Sequence, residues 1–217
     1  MFKDRADAGR QLSRKLLQFR DGSVVTLAIP MGGVPVACEV ARVLRAPLDL
    51  VLPRKLPIPW NPEAGFGAMT IDGSVVLNRQ LVEGMRITKA QIAVVSEMVM
   101  MEIERSNKAL RGEKPPPDLA GRTAIIVDDG LASGYTMLAA IRYVRALNPG
   151  TVVAAAPVAS APAARLVEKD ADELVTAIVS SQIPFAVADF YLEWRDLPER
   201  EVKEYLSAMC HKTAGNR

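Results

Sequence analysis

Four stretches of this chain are continuous apolar runs without polar alternation: VVTLAI from residue 24, TAIIV from residue 123, TVVAAAPVA from residue 151 and ELVTAIV from residue 173. A strand that reads this way is covered on both faces, the condition of a parallel sheet between helical layers. VPVACEVARVL from residue 34, YTMLAAIRYVRAL from residue 135 and APAARLVEKD from residue 161 carry helical periodicity between those runs. Alternation of strand and helix predicts an α/β fold with a central, mostly parallel sheet flanked by helices. LDLVL at 48–52 and SVVLN at 74–78 read as further strands. Helices are expected over 2–20, with Leu12, Leu16 and Phe19 on one face, and over 88–111, where Ile92, Val95, Val99, Ile103 and Leu110 share a face. The proline- and glycine-rich PRKLPIPWNPEAGFGAM, residues 53–69, reads as a long loop, and a last helix is expected after Pro198.

Composition narrows the partners. A formal net charge of +2 over 217 residues gives no general attraction to nucleic acid or to a membrane surface. Cys38 and Cys210 are too few for a disulfide framework or a zinc site, so a reducing cytoplasm is expected, with Cys38 in the core. Charges run through MFKDRADAGRQLSRKLLQF, and neither a signal peptide nor a membrane anchor is expected. His211, among polar residues, is not expected to be catalytic.

Function enters at AIIVDDGLASGYTM, residues 124–137, where an apolar strand runs into two adjacent acids and a loop of very small side chains. In a doubly wound sheet, ligands bind beyond the carboxyl ends of the strands, where Asp128 and Asp129 lie. Two neighbouring carboxylates repel, and a sugar diol or a magnesium ion can offset the cost of burying them. Gly130, Ala132 and Gly134 let a ligand reach the backbone. The N–H groups at the following helix start, with the Ser133 and Thr136 hydroxyls, can hold a phosphate. Together these features describe a polyol carrying a phosphate. An ordinary strand-to-helix turn is the alternative.

IIVDDGLASGYT closely resembles the phosphoribosyl pyrophosphate motif of the type I phosphoribosyltransferases. That resemblance implies that Asp128 and Asp129 engage the ribose hydroxyls, directly or with magnesium, and that Leu131, Ala132, Ser133, Gly134, Tyr135 and Thr136 cradle the 5′-phosphate. It also implies a pyrophosphate loop near the end of an early strand, a place occupied by AIPMGGVPVA with Met31, Gly32 and Gly33. Family members often have a cis peptide not preceding proline in that loop. Arg54 and Lys55 stand where the family places cations that neutralise pyrophosphate. The segment from Pro57 to Gly73 corresponds to a mobile loop that closes over the site, and its Glu63 is a candidate acid or base for the incoming nucleophile. IPFAVADFYLEW resembles the base-stacking segment of 6-oxopurine members, with Phe185 as the stacking ring; core packing is the alternative. One departure matters: the Asp that those members carry before the Thr-Gly pair is Ala132 here, which weakens a hypoxanthine or guanine assignment.

The resemblance implies one phosphoribosyltransferase domain over 1–217: a core at about 24–180, a helical insertion at about 84–120, and a small hood from the chain ends that includes 181–217. The expected reaction is magnesium-dependent transfer of the 5-phosphoribosyl group from phosphoribosyl pyrophosphate to a small-molecule base, with release of pyrophosphate. No nucleic acid or membrane partner is expected. The Met-rich EMVMMEIE of the insertion either covers the site or meets another subunit of a homo-oligomer. A non-catalytic regulator that binds the same sugar phosphate or a nucleotide is the alternative.

Overall fold

The computed structural model describes residues 1–209 in full and 210–214 by their backbone alone; the expectations for the Cys210 and His211 side chains lie outside the described residues. Helix α1 (Arg5–Lys15) leads to β1 (Val24–Ala28), α2 (Gly33–Leu44) and β2 (Leu48–Leu50). Strands β3 (Arg54–Ile58), β4 (Asn61–Met69) and β5 (Val75–Leu77) are followed by α3 (Arg79–Gly84) and the long α4 (Lys89–Leu110). Then come β6 (Thr123–Val127), α5 (Tyr135–Arg145), β7 (Thr151–Ser160), α6 (Ala161–Val167), β8 (Glu173–Ser180) and α7 (Glu199–Ala214).

The central sheet has the order β2-β1-β6-β7-β8, and every neighbouring pair is parallel. Successive residues feed cores on opposite faces: Val24, Ala28, Ile125 and Val127 pack with α1 and α2, while Val25, Leu27, Ala124 and Ile126 pack with α5. That is why these strands are apolar throughout. In β7 the pairing skips Pro157, which has no N–H to donate. Thr26 is fully buried in β1, and its hydroxyl has no partner among the described residues. An orphaned buried hydroxyl costs ~1–3 kcal/mol. Thr26→Val, which keeps the shape, should therefore raise the melting temperature by about 2–4 °C, as expected for ~1 kcal/mol in a chain of this size; an unchanged value would refute the account.

Residues 53–69 are not a loop. β3 and β4 form an antiparallel hairpin, to which β5 adds a third strand. Leu56, Ile58, Phe66 and Ala68 are buried at alternate positions, which supplies the driving force for strand formation. The prolines hide that alternation, and the register shifts on both sides of Pro57.

Helix α4 starts at a capping box between Thr88 and Gln91 and buries Val95, Val99 and Ile103, as the periodicity predicts. Its end is tied to β2 by a two-pronged ion pair, with Arg111 Nε and Nη2 at 2.8 and 3.0 Å from the Asp49 carboxylate. Sequence-distant segments also meet. The Phe2 N–H donates to the Phe190 carbonyl at 2.8 Å, and the Leu192 N–H donates to the Phe2 carbonyl at 2.9 Å. Phe2 and Tyr191 are buried against each other. Cys38 is buried in α2, and that burial, followed by the Glu39 charge, pushes its thiol up to about 12, so it is an inert core residue.

Candidate functional site

Asp128 and Asp129 follow β6 directly. The Asp128 N–H donates to the Ala155 carbonyl at 3.1 Å and the Asp129 N–H to the Asp128 carboxylate at 2.9 Å. The Pro30–Gly33 turn, reached through a cis Pro30–Met31 peptide, lies against them. A Cβ on Gly33 would sit 2.7 Å from the Val127 carbonyl oxygen and 2.9 Å from Asp128 Cα, and one on Gly32 would run into the Asp129 carboxylate. Gly32 has an ordinary helical φ of −63°, so space rather than backbone freedom requires glycine there. Two loops nearly a hundred residues apart are thus in direct contact.

The two acids have different surroundings. Burial, then repulsion from Asp129, pushes the Asp128 carboxyl well above the usual carboxylate range; the Asp129 N–H and the more distant Arg5 pull the other way. Asp129 is paired: Arg5 Nε lies 2.8 Å from its carboxylate, and the two side chains are only 9% and 15% exposed. Arg5 is held in turn by the Arg195 carbonyl at 2.8 Å and by the Trp194 ring, 3.9 Å from the guanidinium carbon. The Tyr191 hydroxyl donates to the Asp129 carbonyl at 2.6 Å, and burial, then the Asp129 charge, raises its pKa strongly.

Beyond the acids, the 131–136 loop is stitched to β7, which outruns β6. The Leu131 N–H donates to the Val158 carbonyl and the Ser160 N–H to the Leu131 carbonyl, both at 2.8 Å. The buried Ser160 hydroxyl donates to the Ala132 carbonyl at 2.7 Å and caps α6 by accepting from the Ala163 N–H at 3.1 Å. Gly134 has φ +82°, a conformation that favours glycine, and precedes α5. Among the described residues the N–H groups of Ala132 and Ser133 have no partner, and those at the start of α5 have none by helix geometry. Such a cluster of free donors can receive an anion.

Two cavities flank Asp128. One of about 420 Å³ is lined by the 131–136 loop and by Glu63, Ala64, Gly65 and Gly67 of β4. The other, about 760 Å³, is lined by the Pro30–Gly32 turn, β3 and α4. Lys55, Asp128 and Thr136 line both. Lys55 Nζ donates to the Glu63 carbonyl at 2.6 Å, its stem crossing where a Gly65 side chain would stand. Arg54 Nη2 donates to the Ser106 hydroxyl of α4 at 2.9 Å. A cationic and hydrogen-bonding floor thus adjoins a partly buried acid.

Of the candidates from sequence, Met31, Gly32, Gly33, Arg54, Lys55, Glu63, the acid pair and the 131–136 loop converge. Tyr135 points its ring into the cluster of Ala68, Val76 and Leu138, leaving its N–H toward the loop. Phe185 lines neither cavity and packs on Phe190 at 5.4 Å between ring centres. Sequence reasoning misses Arg5, Ser106, Ser160 and Tyr191. Ser160 alone leaves a signal, as an N-cap before Ala161-Pro162.

Comparison with known proteins places these features in context. Residues 71–194 match the model of the phosphoribosyl transferase domain. Proteins from two strains of Mycobacterium tuberculosis, whose names assign them provisionally as phosphoribosyl transferases, are each 39% identical over 206 residues, covering 95% of this chain and 46% of theirs. The chain therefore spans about half the length of the curated relatives it matches. Among solved structures, a protein from Thermus thermophilus named TT1426 is 33% identical with a TM-score of 0.77, over 96% of this chain and 98% of that one.

Proposed function

Because the chain belongs to the phosphoribosyl transferase domain family, we propose that it transfers the 5-phosphoribosyl group of phosphoribosyl pyrophosphate to a nitrogen of a small-molecule base, releasing pyrophosphate, as in nucleotide salvage. The observation that carries this reading is the contact of the Pro30–Gly33 turn with the acid pair, between two cavities that share Lys55, Asp128 and Thr136. In it, the free N–H groups of the 131–136 loop, with Ser133 and Thr136, hold the 5′-phosphate. Asp128 accepts from a ribose hydroxyl, and Asp129, fixed by Arg5, shapes the floor beneath the sugar. Met31, Gly32 and Gly33 present their backbone to the pyrophosphate, whose charge Arg54 and Lys55 neutralise.

Magnesium fits this donor set in one way. No cluster of three or more His, Cys, Asp or Glu residues exists among the described residues, so the ion would be held by Asp128 with the ligand's own oxygens and water. Bound there, it supplies charge neutralisation for the departing pyrophosphate. As the C1–oxygen bond to pyrophosphate breaks, the C1–nitrogen bond forms on the opposite face, and the proton on that nitrogen passes to a base. Glu63, exposed at the rim of the smaller cavity, is the candidate to take it. Positioning and charge stabilisation carry most of the catalysis.

A second reading, a non-catalytic binder of the same sugar phosphate, is favoured by the Asp129 carboxylate being already satisfied by Arg5. Pyrophosphate release from phosphoribosyl pyrophosphate and magnesium, measured across a panel of purine and pyrimidine bases, separates the two. Release above background with at least one base supports transfer; tight binding of the donor without release for any base selects the regulator. Among the described residues no helix is long and apolar enough to cross a membrane.

A further inference from the structure

Helix α4 lines the larger cavity with Val94, Met98 and Glu102, and the buried Ser106 continues their spacing outside its lining. Val94, Met98, Glu102 and Ser106 recur every four residues along about 18 Å of helix. The stripe is apolar at one end and bonded to Arg54 at the other. Val94 and Met98 are 56% and 57% exposed although they line the cavity, and Pro59 and Pro62 of the hairpin line it with them. A volume of about 760 Å³ lies within the range of pockets that bury a drug-sized organic ligand, roughly 300–1,000 Å³. Pyrophosphate occupies a small part of that space and has no use for an apolar wall. The base does not reach it either. In the transfer reading, on which this inference rests, the nucleophile attacks C1 opposite the leaving group, whereas this wall adjoins the pyrophosphate end.

We propose that the α4 cavity is a subsite for an organic phosphate or pyrophosphate carrying an uncharged apolar substituent, and that such a ligand competes with the donor. The anionic head sits at the Pro30–Gly33 turn with Arg54 and Lys55, and the substituent lies on Val94, Met98, Pro59 and Pro62. Charge fixes the direction: the cations lie at the polar end of the stripe. The Glu102 carboxylate, one turn before Ser106 and lining the same cavity, disfavours a second anionic group beyond the head. The site would thereby regulate donor occupancy through an amphiphilic anion.

The test uses 1-naphthyl phosphate and inorganic phosphate as probes on the whole chain, by calorimetry or by naphthyl fluorescence. Burying about half of the naphthyl surface predicts binding roughly 30-fold tighter than inorganic phosphate, with displacement by phosphoribosyl pyrophosphate. Met98→Asp and Val94→Asp, at exposed positions, should each cut naphthyl phosphate affinity at least ~10-fold while leaving inorganic phosphate affinity and the melting temperature unchanged. Equal affinity for the two probes, failure of both to bind, or indifference to Met98→Asp overturns the proposal. Donor affinity in Asp128→Asn tests the sugar site separately: if it is unchanged the transfer reading falls, while the naphthyl contrast still decides the subsite.

Discussion

Asp128→Asn is expected to weaken binding of phosphoribosyl pyrophosphate by ~100-fold or more and, in the absence of ligand, to make the protein more stable at neutral and alkaline pH. The first effect follows from losing the charge on the hydrogen bond to a ribose hydroxyl, worth ~1.5–3 kcal/mol, together with the carboxylate that would hold the magnesium ion. The second follows from a carboxyl held well above its usual range by burial and by Asp129. A group whose folded pKa is raised favours folding in its protonated form. That contribution is complete below the unfolded value of ~3.9 and is lost as pH rises through the folded value. Asparagine keeps the shape and never ionises. The melting-temperature difference, variant minus native, should therefore be smallest near pH 4 and grow as pH rises. A flat difference would sink the electrostatic account, and native-like donor affinity would sink the role of Asp128.

Arg5→Met should destabilise the fold by about 3 kcal/mol, because it leaves the Asp129 carboxylate in a largely covered site without its counter-charge. Methionine keeps an apolar stem for the Trp194 face, so the loss reports on charge more than on packing. In a chain of this size the expected fall in melting temperature is roughly 6–12 °C. Adding Asp129→Asn should restore most of it, giving a coupling of ~2 kcal/mol or more between the two positions. Additive single effects would show that the pair contributes no interaction of its own. Donor binding should weaken as well in Arg5→Met, since Asp129 shapes the floor under the sugar in the proposed mechanism.

How much of this was visible in the residues depends on the range of the forces involved. The sheet was legible because burial on both faces leaves an uninterrupted apolar run, as in TAIIV, and α4 because Val95, Val99 and Ile103 keep helical period. The acid pair and its loop were legible because their chemistry is local: charge, small side chains and a helix start within ten residues. The hairpin was not, because Pro57, Pro59 and Pro62 carry the usual signature of irregular chain while Leu56, Ile58 and Phe66 do the burying. Arg5 was invisible for a different reason. It reads as one more charge on an amphipathic helix, and its partner lies 124 residues away. Phe185, to which the motif assigns stacking on the base, packs its ring on Phe190 at 5.4 Å between centres.

The bond from Arg5 to the Arg195 carbonyl spans 190 residues. During synthesis at roughly 5–20 residues per second, about 10–40 s separate the emergence of the guanidinium from that of the carbonyl that holds it. Through the later part of that interval β6 and its two acids are already made, while the strap that joins Phe2 to Tyr191 and seats Arg5 cannot exist. A nascent chain therefore holds both Arg5 and Asp129 before the Arg195 carbonyl that fixes the guanidinium has been added. Completion of the ligand floor is a late event in the making of this fold, and any prematurely ended product lacking residues 190–195 would have the loops of the site without their keystone.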